Sequence, residues 1–205
     1  MSGMRKIIGA VFLSLDGVMQ APGGPEEDRS GGFELGGWIW AYSDDVTREA
    51  VRSYLLGAPY ALLLGRRTYE IFAAYWPQMP PDNPIAARFN PTAKYVLSSR
   101  DLAPKWNNSH RLSSLDALRE LKASKGPDLL VQGSSTLYPQ LLNAGLLDRL
   151  IVQTYPVVLG QGKRLFGQGT LPLSLRLLHN VVSTTGVVIS TYEPLGSVQS
   201  GSANS

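Results

Sequence analysis

The chain of 205 residues carries a net charge of +3, with 43% hydrophobic and 17% charged residues. That balance suits one globular domain with a sizeable core and argues against disorder of its body. There is no cysteine and there are only two histidines, so disulfides, thiolate-held zinc and a cysteine nucleophile are excluded, and a histidine-built metal site nearly so. The slight basic surplus has no run of like charges, which speaks against nucleic acid and suits a small anionic ligand.

The first segment, "MRKIIGAVFLSLDG", imitates a secretory leader, but Asp16 and Gly17 follow at once and "MQA" is a poor cleavage site. It is read as a buried strand over Arg5–Leu15, continuously apolar as in a sheet covered on both faces. No stretch reaches the ~18 apolar residues of a membrane span, and a cytoplasmic protein is expected. From Asp16 to Tyr42 the chain is glycine-rich and irregular, a length of loop usually reserved for function or motion. Ser43 is the expected N-cap of a helix with Asp44 and Asp45 in its first turn and Val46, Ala50, Val51, Tyr54 and Leu55 on its apolar face.

Pro59–Leu64 reads as the second strand and Thr68–Trp76 as the next helix, which "PQMPPDNP" ends. Ala93–Leu97 is the third strand. "SSLDALRELKASKG" is an amphipathic helix with a serine start and a stop at Gly126. Asp128–Val131 is the fourth strand, "GSSTLYPQLLNAG" a helix that tolerates Pro139 only near its first turn, and Arg149–Val158 the fifth strand. "STTG" joins two late strands, Leu175–Val182 and Val187–Tyr192, into a hairpin. Strand–helix alternation followed by a hairpin predicts an α/β domain with a mostly parallel sheet and an antiparallel edge. One domain is expected over residues 1–194, with a disordered tail over 195–205.

Ligands of such sheets bind at the carboxyl ends of the strands. Three strand ends here have related content: Gly65-Arg66-Arg67-Thr68, Ser98-Ser99-Arg100, and Gly133-Ser134-Ser135-Thr136. Helix starts offer free N–H groups and partial positive charge, and arginine offers a fork for phosphate oxygens. Singly each could be ordinary helix capping; three on one edge suit a nucleotide with several phosphates. "GQGKRLFGQG" is neither a dinucleotide fingerprint nor a P-loop, and no G-x-S-x-G elbow is present.

The stretch "LLLGRRTYE", then "YVLSSRDL" before "SSLDALREL", then "VQGSSTLYPQLL", resembles the dihydrofolate reductase fold in order and spacing from Arg5 to Tyr192. Within that superfamily, "SLDG" (Ser14–Gly17) and "LLNAGLLDRLIVQTYPVVLGQGKRLF" (Leu141–Phe166) resemble the riboflavin-biosynthesis reductase (RibD C-terminal) domain and its stand-alone relatives. The resemblance implies a three-layer α/β/α fold, an NADPH cofactor and a homodimer. It implies Arg66 on the ribose 2′-phosphate with Arg67 as helper, and Thr68 on the pyrophosphate. Ser98, Ser99 and Arg100 would lie around the 2′-phosphate and adenine ribose. Gln132, Gly133, Ser134, Ser135 and Thr136 would lie at the pyrophosphate and nicotinamide, with the backbone of Ala10 and Val11 facing the nicotinamide amide.

Two departures stand out. Gln132-Gly133 replaces the family's Gly-Gly, whose peptide in dihydrofolate reductases is cis. A non-proline cis bond costs roughly 3–4 kcal/mol, so Gln132 either forces trans or keeps cis with a side-chain contact. For the acid, Asp45 lies near the position of the carboxylate that orients the pterin, and Asp16 is the other candidate; each has a plain alternative, a helix start or a turn. The implied reaction is hydride transfer to a small nitrogen heterocycle, of the 5-amino-6-(5-phosphoribosylamino)uracil reductase type or with another substrate. The alternatives are dihydrofolate reduction and a non-catalytic NADPH-binding protein. The zinc deaminase domain that often accompanies the biosynthetic enzyme has no counterpart among these residues.

Overall fold

A computed structural model describes residues 4–202. The strands are β1 (Ile7–Ser14), β2 (Tyr60–Gly65), β3 (Lys94–Leu97), β4 (Ser109–Leu112), β5 (Asp128–Gln132), β6 (Arg149–Tyr155), β7 (Ser174–Val182) and β8 (Val188–Gly196). The helices are α1 (Asp45–Leu56), α2 (Arg66–Tyr75), α3 (Pro84–Phe89), α4 (Leu115–Ala123) and α5 (Leu137–Asn143). All eight strands form one sheet in the order β4-β3-β2-β5-β1-β6-β8-β7. Only β8 joins antiparallel, to β6 and β7.

The handedness of parallel crossovers decides which face each helix covers. From β1 to β2 to β3 the chain moves toward one edge. Its helices pack on one face, over Ala10, Leu62, Leu64 and Leu130, with Leu55, Tyr69 and Phe89 buried against them. From β4 to β5 to β6 it moves back, so α4 and α5 cover the other face. There Leu118, Leu137, Tyr138 and Leu141 bury Ile7, Leu63, Val131 and Leu150. A third cluster, around Val18, Phe33, Trp38 and Ile39, fastens the long glycine-rich segment to Tyr155 of β6 and Ile189 of β8.

Several local readings change. The N-cap of α1 is Asp44, not Ser43: its carboxylate accepts from Thr47 N at 2.8 Å while Thr47 Oγ1 accepts from Asp44 N at 2.8 Å, a reciprocal box that Ser43 is one residue too early to form. Helix α2 begins at Arg66, two residues before Thr68. The Pro-rich stretch that ends α2 also starts α3, with Asn83 as cap and Pro84 in the first helical position, where the missing N–H costs nothing. The short edge strand β4 has two exposed residues in the middle of its four and no apolar alternation to announce it. Pro139 lies at the third position of α5, within the first turn as required. Strand β8 runs to Gly196, opposite Ser174, so the boundary at 194 falls inside a strand; of the expected tail, residues 203–205 lie outside the described residues.

Candidate functional site

Strands β2, β3 and β5 end side by side, with Gly65 level with Leu97 and Leu63 level with Val131. The three predicted segments therefore meet on one edge. A cleft of about 350 Å³ opens there, lined by Gly65, Arg66, Arg67, Ser98, Ser99 and Thr136 of the predicted set, together with Glu70, Leu97, Leu137 and Gln140.

Its floor is two turns stitched together. Gly65 N donates to Ser134 Oγ at 2.8 Å, Ser134 N donates to Thr68 Oγ1 at 2.9 Å, and Ser134 Oγ donates to Gln132 O at 3.2 Å. Gly133 and Ser134 both take left-handed backbone, at φ 56° and 64°. The Gln132–Gly133 peptide is trans; among the described residues the cis peptide is Ala103–Pro104. The turn thus reverses direction with two positive φ values and without a cis bond at Gln132–Gly133. Thr68, buried, spends its acceptor oxygen on this stitch. Ser135 is half-buried and Thr136 exposed beside it.

The wall is α2. No acid stands in its first turn and no side chain caps it. Arg66 and Arg67 instead place two positive charges where the helix dipole is already positive, an unfavourable arrangement without an anion. Each is partly offset. Arg66 Nε pairs with Glu70 at 2.7 Å and its Nη1 donates to Asp101 O at 3.1 Å. Arg67 Nη2 lies 3.6 Å from Asp28. Guanidinium offers five N–H donors, so capacity remains toward the cleft. Ser98 is less available than expected: its hydroxyl donates to Arg100 O at 2.7 Å and accepts from Arg100 N at 3.1 Å, closing a local turn. Arg100 is exposed and does not line the cleft.

Beside the cleft, β1 overshoots. It pairs with β5 only as far as Ala10–Gln132, but with β6 as far as Ser14–Tyr155. From Val11 onward its other edge has no strand partner among the described residues. Ala10 and Val11 themselves are buried.

The two acid candidates are not in this cleft. The Asp45 side chain is 99% exposed and pairs with Arg48 at 2.7 Å. As the first residue of α1 it points off the helix into solvent, so it neither orients a ring nor meets a reacting atom. Its neighbour Asp44 is consumed by Thr47 and by the N–H and hydroxyl of Thr184, both at 2.8 Å, bonds that hold its carboxyl well below the usual range.

Asp16 is a clamp rather than an acid. It accepts from Ser14 Oγ at 2.7 Å, Leu159 N at 3.1 Å and Gly160 N at 2.9 Å, tying the end of β1 to the segment after β6. The Ser14 bond, then the two backbone bonds, outweigh desolvation and lower its pKa to about 2, which unsuits it for donating a proton near neutrality. Asp16→Ala should cost about 2 kcal/mol by leaving those donors unmatched. The folded pKa lies below the unfolded value of 3.8, so the contribution is complete above that value and is lost as pH falls through about 2. Urea titrations of both proteins should converge toward pH 2; a gap that does not narrow on acidification would refute the clamp.

Sequence reading missed the hub of the glycine-rich segment. The buried amide of Gln20 donates to Asp28 O at 3.0 Å and Ser30 O at 2.9 Å and accepts from Lys163 N at 3.0 Å. Lys163 Nζ in turn reaches Asp28 at 2.5 Å. Asp28 therefore sits between Lys163 and Arg67, and the segment arches from the β6 side to the start of α2. Partners more than 130 residues apart leave no local pattern to read. Among the described residues no cluster of three His, Asp or Glu could hold a metal.

The RibD C-terminal domain family model matches residues 5–189. The chain belongs to this family. A further relative is the uncharacterised protein YyaP of Bacillus subtilis (strain 168), 28% identical over 136 residues, which span 64% of this chain and 72% of that protein. Among solved structures, a candidate riboflavin biosynthesis protein from Shewanella sp. PV-4 superposes with a TM-score of 0.68 at 19% identity, covering 92% of this chain and 98% of the other. A pyrimidine reductase-like protein from Corynebacterium diphtheriae gives 0.57 at 17%, covering 93% and 92%. Dihydrofolate reductase from Enterococcus faecalis, complexed with NADP(H), gives 0.59 at 15%, covering 95% and 99%. The fold of this RibD C-terminal domain is that of dihydrofolate reductase, with helices on both faces of the sheet and an antiparallel hairpin at its end.

Proposed function

We propose that this RibD C-terminal domain is an NADPH-dependent reductase of a small nitrogen heterocycle. The observation that carries the reading is the first turn of α2: two arginines, no acid and no side-chain cap, facing a cleft at the carboxyl edge of a parallel sheet. An anion at that point satisfies free N–H groups and both cations together. Arg66 and Arg67 would hold a ribose 2′-phosphate with Ser99 beside them, and Thr136 with the Gly133–Ser135 turn the pyrophosphate. The unpaired edge of β1 beyond Ala10 and Val11 would receive the nicotinamide amide.

Bound NADPH supplies the hydride; the chain positions the cofactor and the ring. With Asp45 in solvent and Asp16 held ionised, water supplies the proton. The substrate is a pyrimidine of the riboflavin type or a related ring. Dihydrofolate is disfavoured, since neither acid candidate faces the ring. The same lack of an acid favours, as a second reading, a protein that binds NADPH without turnover. Calorimetric titration tests the first reading: no heat of binding at about 1 mM NADPH, a Kd too weak for a physiological cofactor, would sink it. Turnover of any pyrimidine or flavin precursor would exclude the second.

A homodimer is proposed through β7 and β8. Edge strand β7 is exposed over most of its length and presents Leu177, Leu178 and Val182 at 50%, 41% and 58% exposure, a long apolar edge of the kind monomers avoid. Light scattering should give twice the 22.3 kDa chain mass; a monomer at micromolar concentration would refute the dimer.

A further inference from the structure

The glycine-rich segment reaches α2 through a carboxylate. Charged residues stand in a row along it, from Glu26 to Arg29. Glu26 pairs with Arg29 at 2.5 Å and Glu27 accepts from Gly23 N at 2.7 Å, so these stay within the segment. Asp28 reaches outward. Its side chain is only 10% exposed and is fixed from several sides. Lys163 Nζ donates to its Oδ2 at 2.5 Å, and Ser30 donates to its Oδ1 from the hydroxyl at 2.7 Å and from the N–H at 3.2 Å. On the α2 side stands Arg67, with Nη2 3.6 Å from Oδ1.

The two cations differ in role. Lys163 neutralises Asp28 at hydrogen-bond distance and also donates to Ser30 Oγ at 2.7 Å, so the segment is fastened without Arg67. The Arg67 contact is too long for a hydrogen bond, and its side chain is 60% exposed, a kind of pair that adds little to stability. Arg67 does, however, line the cleft. Its flat guanidinium carries N–H groups on more than one edge, so one edge can face Asp28 while another faces an anion. An exposed arginine loses rotamer freedom when a ligand fixes it, which weakens binding. A rigid carboxylate at one edge removes part of that loss beforehand. Because Lys163 already balances the charge of Asp28, the carboxylate steers the guanidinium without cancelling its attraction for a phosphate. Gly31 and Gly32 follow close behind, left-handed at φ +71° and +75°, and a Cβ at either would meet nothing within 4 Å. The turn beside Asp28 therefore has room to shift and draw the 3.6 Å contact shut.

We infer that Asp28 is a positioning residue for cofactor choice: it holds Arg67 toward the 2′-phosphate, and bound NADPH in turn draws the glycine-rich segment onto α2. The inference rests on the reductase reading for the presence of the cofactor in the cleft. The coupling is reciprocal, as linkage requires. Whatever Asp28 contributes to NADPH binding, NADPH returns to closure of the segment. NADH lacks the 2′-phosphate, leaves Arg67 unengaged and does neither.

Asp28→Asn keeps the shape of the side chain and an acceptor for Ser30 but removes the charge that faces Arg67. It should weaken NADPH binding about fivefold, the low end of coupling between sites, as suits an exposed pair. NADH binding should change little. In an Arg67→Ala background the same substitution should weaken NADPH no further, since the residue it acts through is gone. Calorimetric titration of both cofactors into the wild type, the two single variants and the double variant reads these effects, and thermal melts establish that the variants fold. A second measurement needs no Asp28 variant: NADPH, and not NADH, should slow amide hydrogen exchange over residues 22–32 of the wild type, and Arg67→Ala should abolish that protection. Unchanged NADPH affinity in folded Asp28→Asn, equal losses for the two cofactors, a loss that persists in the Arg67→Ala background, or exchange over residues 22–32 that ignores NADPH would overturn the inference. Tighter NADPH binding by Asp28→Asn would overturn it as well, because the carboxylate would then be competing with the phosphate. A wild type that does not bind NADPH sinks the reductase reading and the inference together, whereas NADPH binding indifferent to Asp28 overturns the inference alone.

Discussion

Arg66→Ala should weaken NADPH binding about a hundredfold and NADH binding by no more than a few-fold, because the two cofactors differ only in the 2′-phosphate and a charge-assisted fork to phosphate is worth about 2–3 kcal/mol. The fork can act in this way because only part of it is committed. Nε faces Glu70 and Nη1 faces Asp101 O, which orient the plane and leave further N–H groups toward the cleft. Loss of the Arg66–Glu70 pair should itself cost only about 0.5 kcal/mol, typical of spacing i, i+4. Removing one of two charges at a positive helix end gives some of that back. Fold stability should therefore change little while cofactor choice changes greatly. Arg66→Lys should fall between, keeping charge without the planar fork. Titration of both cofactors into the three proteins decides the matter; parallel losses for NADPH and NADH would place Arg66 away from the 2′-phosphate.

Gly133→Ala should destabilise the fold by about 3 kcal/mol. Left-handed backbone costs a non-glycine residue roughly 1 kcal/mol. The added Cβ would also stand 3.0 Å from Thr68 Oγ1 and Cγ2. Thr68 cannot step aside freely, because its Oγ1 takes the Ser134 N–H that stitches the two turns; breaking a bond of that kind adds about 1–3 kcal/mol. For a chain of this length the sum corresponds to a melting temperature lower by roughly 6–12 °C. Gly145 is the control. Its φ is +63°, close to the 56° of Gly133, but a Cβ there meets nothing within 4 Å, so Gly145→Ala should cost only about 1 kcal/mol. Equal losses for the two alanines would mean that the contact with Thr68 carries no weight. The Gly133 variant should also bind NADPH more weakly, since the turn forms the cleft floor.

Much of the molecule was legible locally. The apolar run at Leu62–Leu64, the serine start of α4 and the STTG turn each signal their own element. The three small or basic strand ends, once assigned to parallel strands, had to share an edge. Less legible was anything settled by partners distant in sequence. Arg66 and Arg67 read as a loop before a helix, whereas the stitch from Gly65 to Ser134 fixes the turn so tightly that both arginines enter the first turn of α2. Asp45 and Asp16 were interchangeable as acids until Arg48, in one case, and Leu159 with Gly160, in the other, assigned them elsewhere. The short β4 exists because Lys94 to Leu97 present a free edge for it to pair with, register by register, and not through a pattern of its own.

By itself the sequence determined the α/β class, the strand ends that form the cleft, and the absence of thiol chemistry. These follow from periodicity, turn residues and composition, which act over a few neighbours. Tertiary structure alone decided which side chains are free to act. It spent Thr68 and Ser98 on turns, sent Asp45 into solvent and locked Asp16 as a clamp. Whether a polar group is satisfied depends on what the rest of the chain brings within about 3 Å of it, and for these residues that includes partners up to 144 positions away.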